Sequence, residues 1–251
     1  MQKAIRLMGF SAFLAVIAGT AVAQQDPKFR LEVEAGPVWQ TRNDVQIPSG
    51  TGTRFSLIDI QGKGPVAYPR IYLDWQFRGR HGLRLLYAPL SIKGSGAPAS
   101  AVRFEESLFL PGAPVEAGYR FNSYRVTYRY RFYEGPRWQW SIGATAKVRD
   151  AHVELRQGGI HEINDNVGFV PLAHIDAECR LAKRWHFVFD LDGLAAPQGR
   201  AFDAAVKLRY DWTDHWSLAA GYRTLEGGAD TDTVYTFAWL HYAALSIAYR
   251  F

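Results

Sequence analysis

The chain has 251 residues, with 29 Lys and Arg against 24 Asp and Glu (formal net charge +5), a single cysteine, and aromatic residues at 14%, eight of them Trp. So small a charge excess gives little reason to expect a nucleic-acid partner. One cysteine excludes an intramolecular disulfide framework, and beyond the N-terminus no run of about 18 apolar residues offers a transmembrane helix.

Residues 1–23 read as a cleaved secretory signal. Lys3 and Arg6 form a positive start, Met8 to Ala18 is an apolar run broken only by Gly9 and Ser11, and Thr20-Ala21-Val22-Ala23 supplies small residues at a cleavage site. The expected mature chain begins at Gln24, carries a formal charge of +3, and forms one domain over 24–251. Its Trp content favours a membrane interface. Closed barrels are the only spanning structures other than helices that satisfy every backbone group in lipid.

From there the dominant period is two, which is the signature of strands. Ten segments are expected, at about 29–41, 66–77, 82–92, 116–132, 138–149, 167–181, 185–194, 200–212, 216–225 and 236–251, with 8 or 12 strands as alternatives. In the second, Ala67, Pro69, Ile71, Leu73, Trp75 and Phe77 oppose Tyr68, Arg70, Tyr72, Asp74 and Gln76. In the fourth, Val126, Tyr128, Tyr130 and Phe132 oppose Arg125, Thr127, Arg129 and Arg131. The eighth sets Phe202, Ala204, Val206, Leu208, Tyr210 and Trp212 against Asp203, Ala205, Lys207, Arg209 and Asp211. Short connections at 78–81, 133–137, 182–184 and 213–215 alternate with long ones at 48–65, 93–115, 150–166 and 226–235; only 195–199 is brief. This alternation predicts an all-β, antiparallel, up-and-down transmembrane β-barrel with short periplasmic turns and longer outer loops.

Trp75, Trp138, Trp140, Trp185, Trp212 and Trp216 lie near short turns, and Trp39 and Trp239 near the opposite strand ends, so two aromatic belts are expected. In the last segment Ala243, Leu245, Ile247, Tyr249 and Phe251 alternate with Ala244, Ser246, Ala248 and Arg250. Here the chain resembles the outer-membrane β-barrel superfamily of Gram-negative bacteria, whose members end in an aromatic residue preceded by alternating apolar ones. The resemblance implies residence in the cell outer membrane, contact with its lipid, and recognition of Leu245, Ile247, Tyr249 and Phe251 by the barrel-assembly machinery.

With the apolar faces toward lipid, the lumen receives a charge cluster: Arg70, Asp74, Arg125, Arg129, Arg131, Lys147, Arg149, His174, Asp176, Glu178, Arg180, Asp190, Asp192, Lys207, Arg209 and Asp211, with Arg84, Asp203 and Arg223 as further candidates. In a narrow barrel such charges are expected to pair and fill the interior. The leading function is an integral outer-membrane protein with a charged, largely filled lumen, acting in envelope structure, surface binding or limited, porin-like solute passage. A net positive lining would favour anions if the lumen were open. One alternative is an outer-membrane hydrolase, a protease or lipid A-modifying enzyme, with its site at the outer rim. His174 and Asp176 on one face, opposite Asp190 and Asp192, are similar to the acidic and His grouping of ten-stranded omptin-type proteases. No other omptin-like motif accompanies them, and no catalytic residue is assigned. A soluble periplasmic β-barrel is the second alternative.

No cofactor and no metal are expected. Asp230 and Asp232 in the Gly227–Asp232 stretch are too few for a calcium loop. His152 and His161 are expected in the third outer loop. Phe104, Leu108, Phe109 and Leu110 are expected to extend the third and fourth strands, and Cys179 to face lipid.

Overall fold

Alternating side chains commit each segment to an extended backbone with one apolar and one polar face, and closing the sheet pairs its first strand with its last. The computed structural model describes residues 28–251, and the expected signal peptide lies outside the described residues. The elements are β1 (Phe29–Gln46), β2 (Phe55–Ser56), α1 (Ile58–Gln61), β3 (Val66–Arg78), β4 (His81–Ala88), β5 (Ser91–Gly96), β6 (Val102–Phe104), β7 (Ser107–Phe109) and β8 (Val115–Glu134). They continue with β9 (Trp138–Gln157), β10 (Ile160–Arg180), β11 (Trp185–Ala196), β12 (Gly199–Asp211), β13 (Trp216–Asp230) and β14 (Tyr235–Arg250).

Ten antiparallel staves close into a barrel as neighbours in chain order, and β14 returns to pair with β1 through Leu31↔Tyr249, Val33↔Ile247 and Ala35↔Leu245. The third stave is split. Pro89 has no N–H to give a ladder, so β4 and β5 are separate segments. Their register against β8 nevertheless continues unchanged from Ala88↔Ser123 to Ser91↔Arg120. The last strand is fixed to the first beyond the ladder, where the Phe251 amide donates to the Phe29 carbonyl at 2.9 Å.

Six Trp residues gather at the end with short turns, and Trp39 and Trp239 lie toward the loop end, seven of the eight being more than a third exposed on the outer surface along with Ile71, Tyr128, Val206 and Ile247. On the alternation of β10, Cys179 belongs to the outward set, but it is buried, with Trp138 and Phe187 as its cross-strand partners.

Three loop expectations are corrected, the simplest at 226–235, where β13 runs on to Asp230 and β14 starts at Tyr235, so that only residues 231–234 form the turn. Residues 150–166 are strand, not loop: β9 and β10 run on to a turn at Gly158-Gly159, with pairs from Asp150↔Val167 to Gln157↔Ile160. His152 and His161 are therefore strand residues. The 93–115 segment does both of two things. Its ends extend β5 and β8, while its middle folds inward as the β6–β7 hairpin, which buries Phe104 and Phe109 completely and leaves Leu108 and Leu110 exposed. Burial of an aromatic of this size is worth ~1.5–3 kcal/mol, more than an exposed strand extension would gain for these rings.

The hairpin, together with α1 from the first loop, forms an apolar plug in the loop end, built on Leu57, Ile60, Phe104, Phe109, Val115 and Leu155. Gly94 and Gly96 of β5 let α1 settle against the wall, since a Cβ on Gly94 would lie 2.5 Å from Gln61 Cα and one on Gly96 2.9 Å from the Ile60 carbonyl oxygen.

Candidate functional site

Along β8 the outward residues Tyr124, Val126, Tyr128 and Phe132 are apolar and exposed, and their inward neighbours include Arg125 and Arg129. Above Asn122 the polarity inverts. Glu116, Arg120 and Asn122 then point outward, while Val115, Ala117 and Tyr119 are buried inside. β9 inverts at the same height. Ile142 and Val148 give way to Asp150, His152, Glu154 and Arg156 on the outside, and Lys147 and Arg149 to Ala151, Val153 and Leu155 on the inside. An outward apolar band of roughly 9–11 residues is what a tilted strand needs to cross a bilayer. The inversion marks where the outer surface turns from apolar to charged.

The interior has three storeys. At the turn end a vestibule of about 580 Å³ is lined by Arg30, Asp74, Arg84, Arg129, Glu178 and Arg209, among others. Asp74 accepts from Arg84 Nε at 2.8 Å and Arg129 Nη2 at 2.6 Å, and Arg84 also binds Asp190. Glu178 takes both terminal nitrogens of Arg209 at 2.6 Å, and Asp211 accepts from Arg209 and Arg250 at 3.0 Å. Arg131 lines the vestibule half-exposed.

At mid-height a layer of buried side chains crosses the lumen. Asp203 accepts from Arg70 at 2.8 Å, Arg125 at 2.7 Å and Arg223 at 2.5 Å. Arg223 Nε donates to Glu34 at 3.0 Å, and Lys207 to Glu32 at 2.6 Å and Glu34 at 3.1 Å. The Tyr72 hydroxyl accepts from Arg70 at 2.7 Å and Arg223 at 2.9 Å. Asp192 accepts from Arg125 and Thr145 at 2.8 Å, and His174 places Nδ1 2.8 Å from Asp192 and Nε2 3.1 Å from Asp176. These are charge-assisted bonds between groups whose desolvation only close, multiple pairing can offset.

The structure thus brings together most residues that the sequence assigned to a lumen cluster. His174 sits in the buried layer, 2% exposed and below the rim. Arg180 is the correction. It lies exposed at the turn end and donates to the Pro136 carbonyl at 2.8 Å, because β10 has already left the lumen there. Lys147 departs in another way. It is 3% exposed, yet no carboxylate among the described residues forms an ion pair with it, and its ammonium sits 4.9 Å from the centre of the Phe121 ring. Glu32 and Glu34, which complete the layer, were missed, although the alternation Arg30-Leu31-Glu32-Val33-Glu34-Ala35 carried the signal. Among the described residues, no group of three or more His, Cys, Asp and Glu could hold a metal ion.

Above the layer, a second cavity of about 310 Å³ is lined by residues of β8 to β14 together with Asn43, Val45 and Ile47.

No family model matches the chain, and no curated protein is similar to it in sequence. Solved structures are similar in fold. The outer membrane protease OmpT of Escherichia coli superposes with a TM-score of 0.59 at 8% identity, over 92% of this chain and 99% of that one. The fold is that of an outer-membrane β-barrel. Neisserial surface protein A gives a TM-score of 0.41 at 14% identity, over 91% of this chain and 100% of that one. The translocator domain of the autotransporter NalP from Neisseria meningitidis gives 0.45 at 9%, over 90% and 89%. Identities this low carry the architecture and no activity.

Proposed function

We propose that this is an integral protein of the bacterial outer membrane whose lumen is sealed and whose work is done at the loop end, as a surface-binding or envelope-structural barrel. The observation that carries this is the mid-lumen layer of Glu34, Arg70, Tyr72, Arg125, Asp192, Asp203 and Arg223, none more than 5% exposed. An open pore lined by these groups would leave them hydrated and accessible. The apolar plug above them supports the same reading, as does the paired extension of β8, β9 and β10, whose charged outer face stands clear of the apolar band. Export with the loop end outward, and recognition of Leu245, Ile247, Tyr249 and Phe251 by the assembly machinery, belong to this proposal. All four lie on the outward face of β14 or at its end, with Leu245, Ile247 and Phe251 exposed.

Orientation and surface display are tested by inserting a protease site at the Gly158-Gly159 turn and another at the Gly79 turn, then treating intact cells. Cleavage at the first alone is expected. Cleavage at the second alone, or at neither while lysed cells are cut, would overturn the reading.

A further inference from the structure

We infer that the loop-end cavity is a binding site for a single-chain amphiphile with an anionic head, reached sideways through a notch in the barrel wall between β10 and β11. The notch is visible in the pairing. β10 and β11 stay in register only as far as Ala173↔Gly193. Beyond that, Leu194, Ala195 and Ala196 pair with β12 alone, and residues 160–172 of β10 pair with β9 alone. Pro171, which has no N–H to offer a neighbour, stands where the pairing stops.

The cavity's lining shows that the notch passes through the wall. Phe169, Pro171 and Phe202 are outward, exposed residues, whereas Lys147, Leu172 and Asp203 are inward, buried ones, and all six line the same space. Its height is set by Phe169↔Val148 and Val167↔Asp150, the level at which the outer surface turns from apolar to charged. A lipid head group in the outer leaflet would sit at this level.

Charge selects the ligand. Of the ionic groups on the cavity wall, Arg200 is paired with Glu226 at 2.8 Å, and Asp203 is already shared among Arg70, Arg125 and Arg223. Lys147 and Arg149 remain without a carboxylate among the described residues; Arg149 donates to the Asn166 side-chain oxygen at 2.7 Å. A buried ammonium with only an aromatic face beside it is costly unless an anion completes it. The rest of the wall is mostly apolar, with Val45, Phe121, Leu172, Leu225 and Ala238 among its members. The volume falls in the range of small-molecule sites. An anionic head on Lys147 and Arg149, with its chain against these residues and toward the notch, satisfies both parts of the lining. The head could be a free fatty-acid carboxylate or the phosphate of a single-chain lipid.

This inference rests on the reading of a sealed barrel in the outer membrane. Heat-dependent migration in SDS and silence in a planar bilayer test that reading, whereas titration of the folded barrel tests the site. The folded barrel in lipid nanodiscs is titrated calorimetrically with dodecanoate, lauroyl lysophosphatidate and dodecanol, with empty nanodiscs as reference. Saturable binding of one or both anions is expected, the tighter of the two identifying the head group, with dodecanol about tenfold weaker. Lys147→Met, an apolar side chain of similar length, should weaken the anions about tenfold and leave dodecanol unchanged. Ala196→Trp, at the notch, should slow uptake. No saturable binding above empty nanodiscs, or equal anion binding by K147M and the parent, both shown folded by their SDS migration, would overturn the proposal.

Discussion

At the scale of residues, Asp203 holds the lumen layer together, because three guanidiniums from three different strands converge on its two oxygens. Asp203→Asn keeps the shape but removes the charge that lets Arg70, Arg125 and Arg223 approach one another. Breaking a buried ionic network in this way costs ~3–5 kcal/mol. The variant should convert from the folded to the unfolded band in SDS at a lower temperature. Glu134→Gln, which touches only the half-exposed Arg131 at 3.5 Å, should change stability by no more than ~1 kcal/mol. Equal shifts in the two variants would show that the layer is not held by its charges. Much of this network was legible in the sequence, since alternation places Arg70, Arg125, Asp192, Lys207 and Arg209 on inward faces. Which acid meets which base was not, because partners such as Arg70 and Asp203 come together across the lumen and not along a ladder. Lys147 shows the limit of the rule that lumen charges pair: alternation sends it inward, and nothing local says that no carboxylate among the described residues meets it.

At the scale of elements, all ten staves were visible as runs of period two, and the short turns fell where expected. The upper halves of β9 and β10 were harder to see because their polarity reverses. An apolar-out, charged-in reading stops at Asp150, although the alternation itself continues in opposite phase. Long-range packing decided the β6–β7 hairpin, whose Phe104 and Phe109 find their partners in the plug. Closure depends on a smaller feature. Gly36 in β1 adopts φ +155°, and a Cβ there would lie 2.1 Å from the Ala243 carbonyl oxygen of β14. Gly36→Ala should therefore disturb the β1–β14 seam and reduce the fraction of refolded protein that resists SDS at room temperature. A variant that refolds with the parent's yield and melting temperature would place the seam's stability elsewhere.

At the scale of the whole molecule, the barrel inverts the usual soluble arrangement at mid-height, with apolar side chains outward and an ionic layer inside, below the apolar plug. The plug and the layer act in series between the two ends. Neither the vestibule nor the loop-end cavity is expected to reach the other, since Arg70, Tyr72, Arg125 and Arg223 fill the space between them. The most direct test is the single-channel conductance of refolded protein, shown by its SDS migration to be folded, in a planar lipid bilayer. The sealed-lumen account expects silence at ordinary voltages, with steps emerging only when Asp203→Asn loosens the layer. Steady, salt-dependent conductance steps from the unsubstituted protein would contradict it and make the barrel a channel.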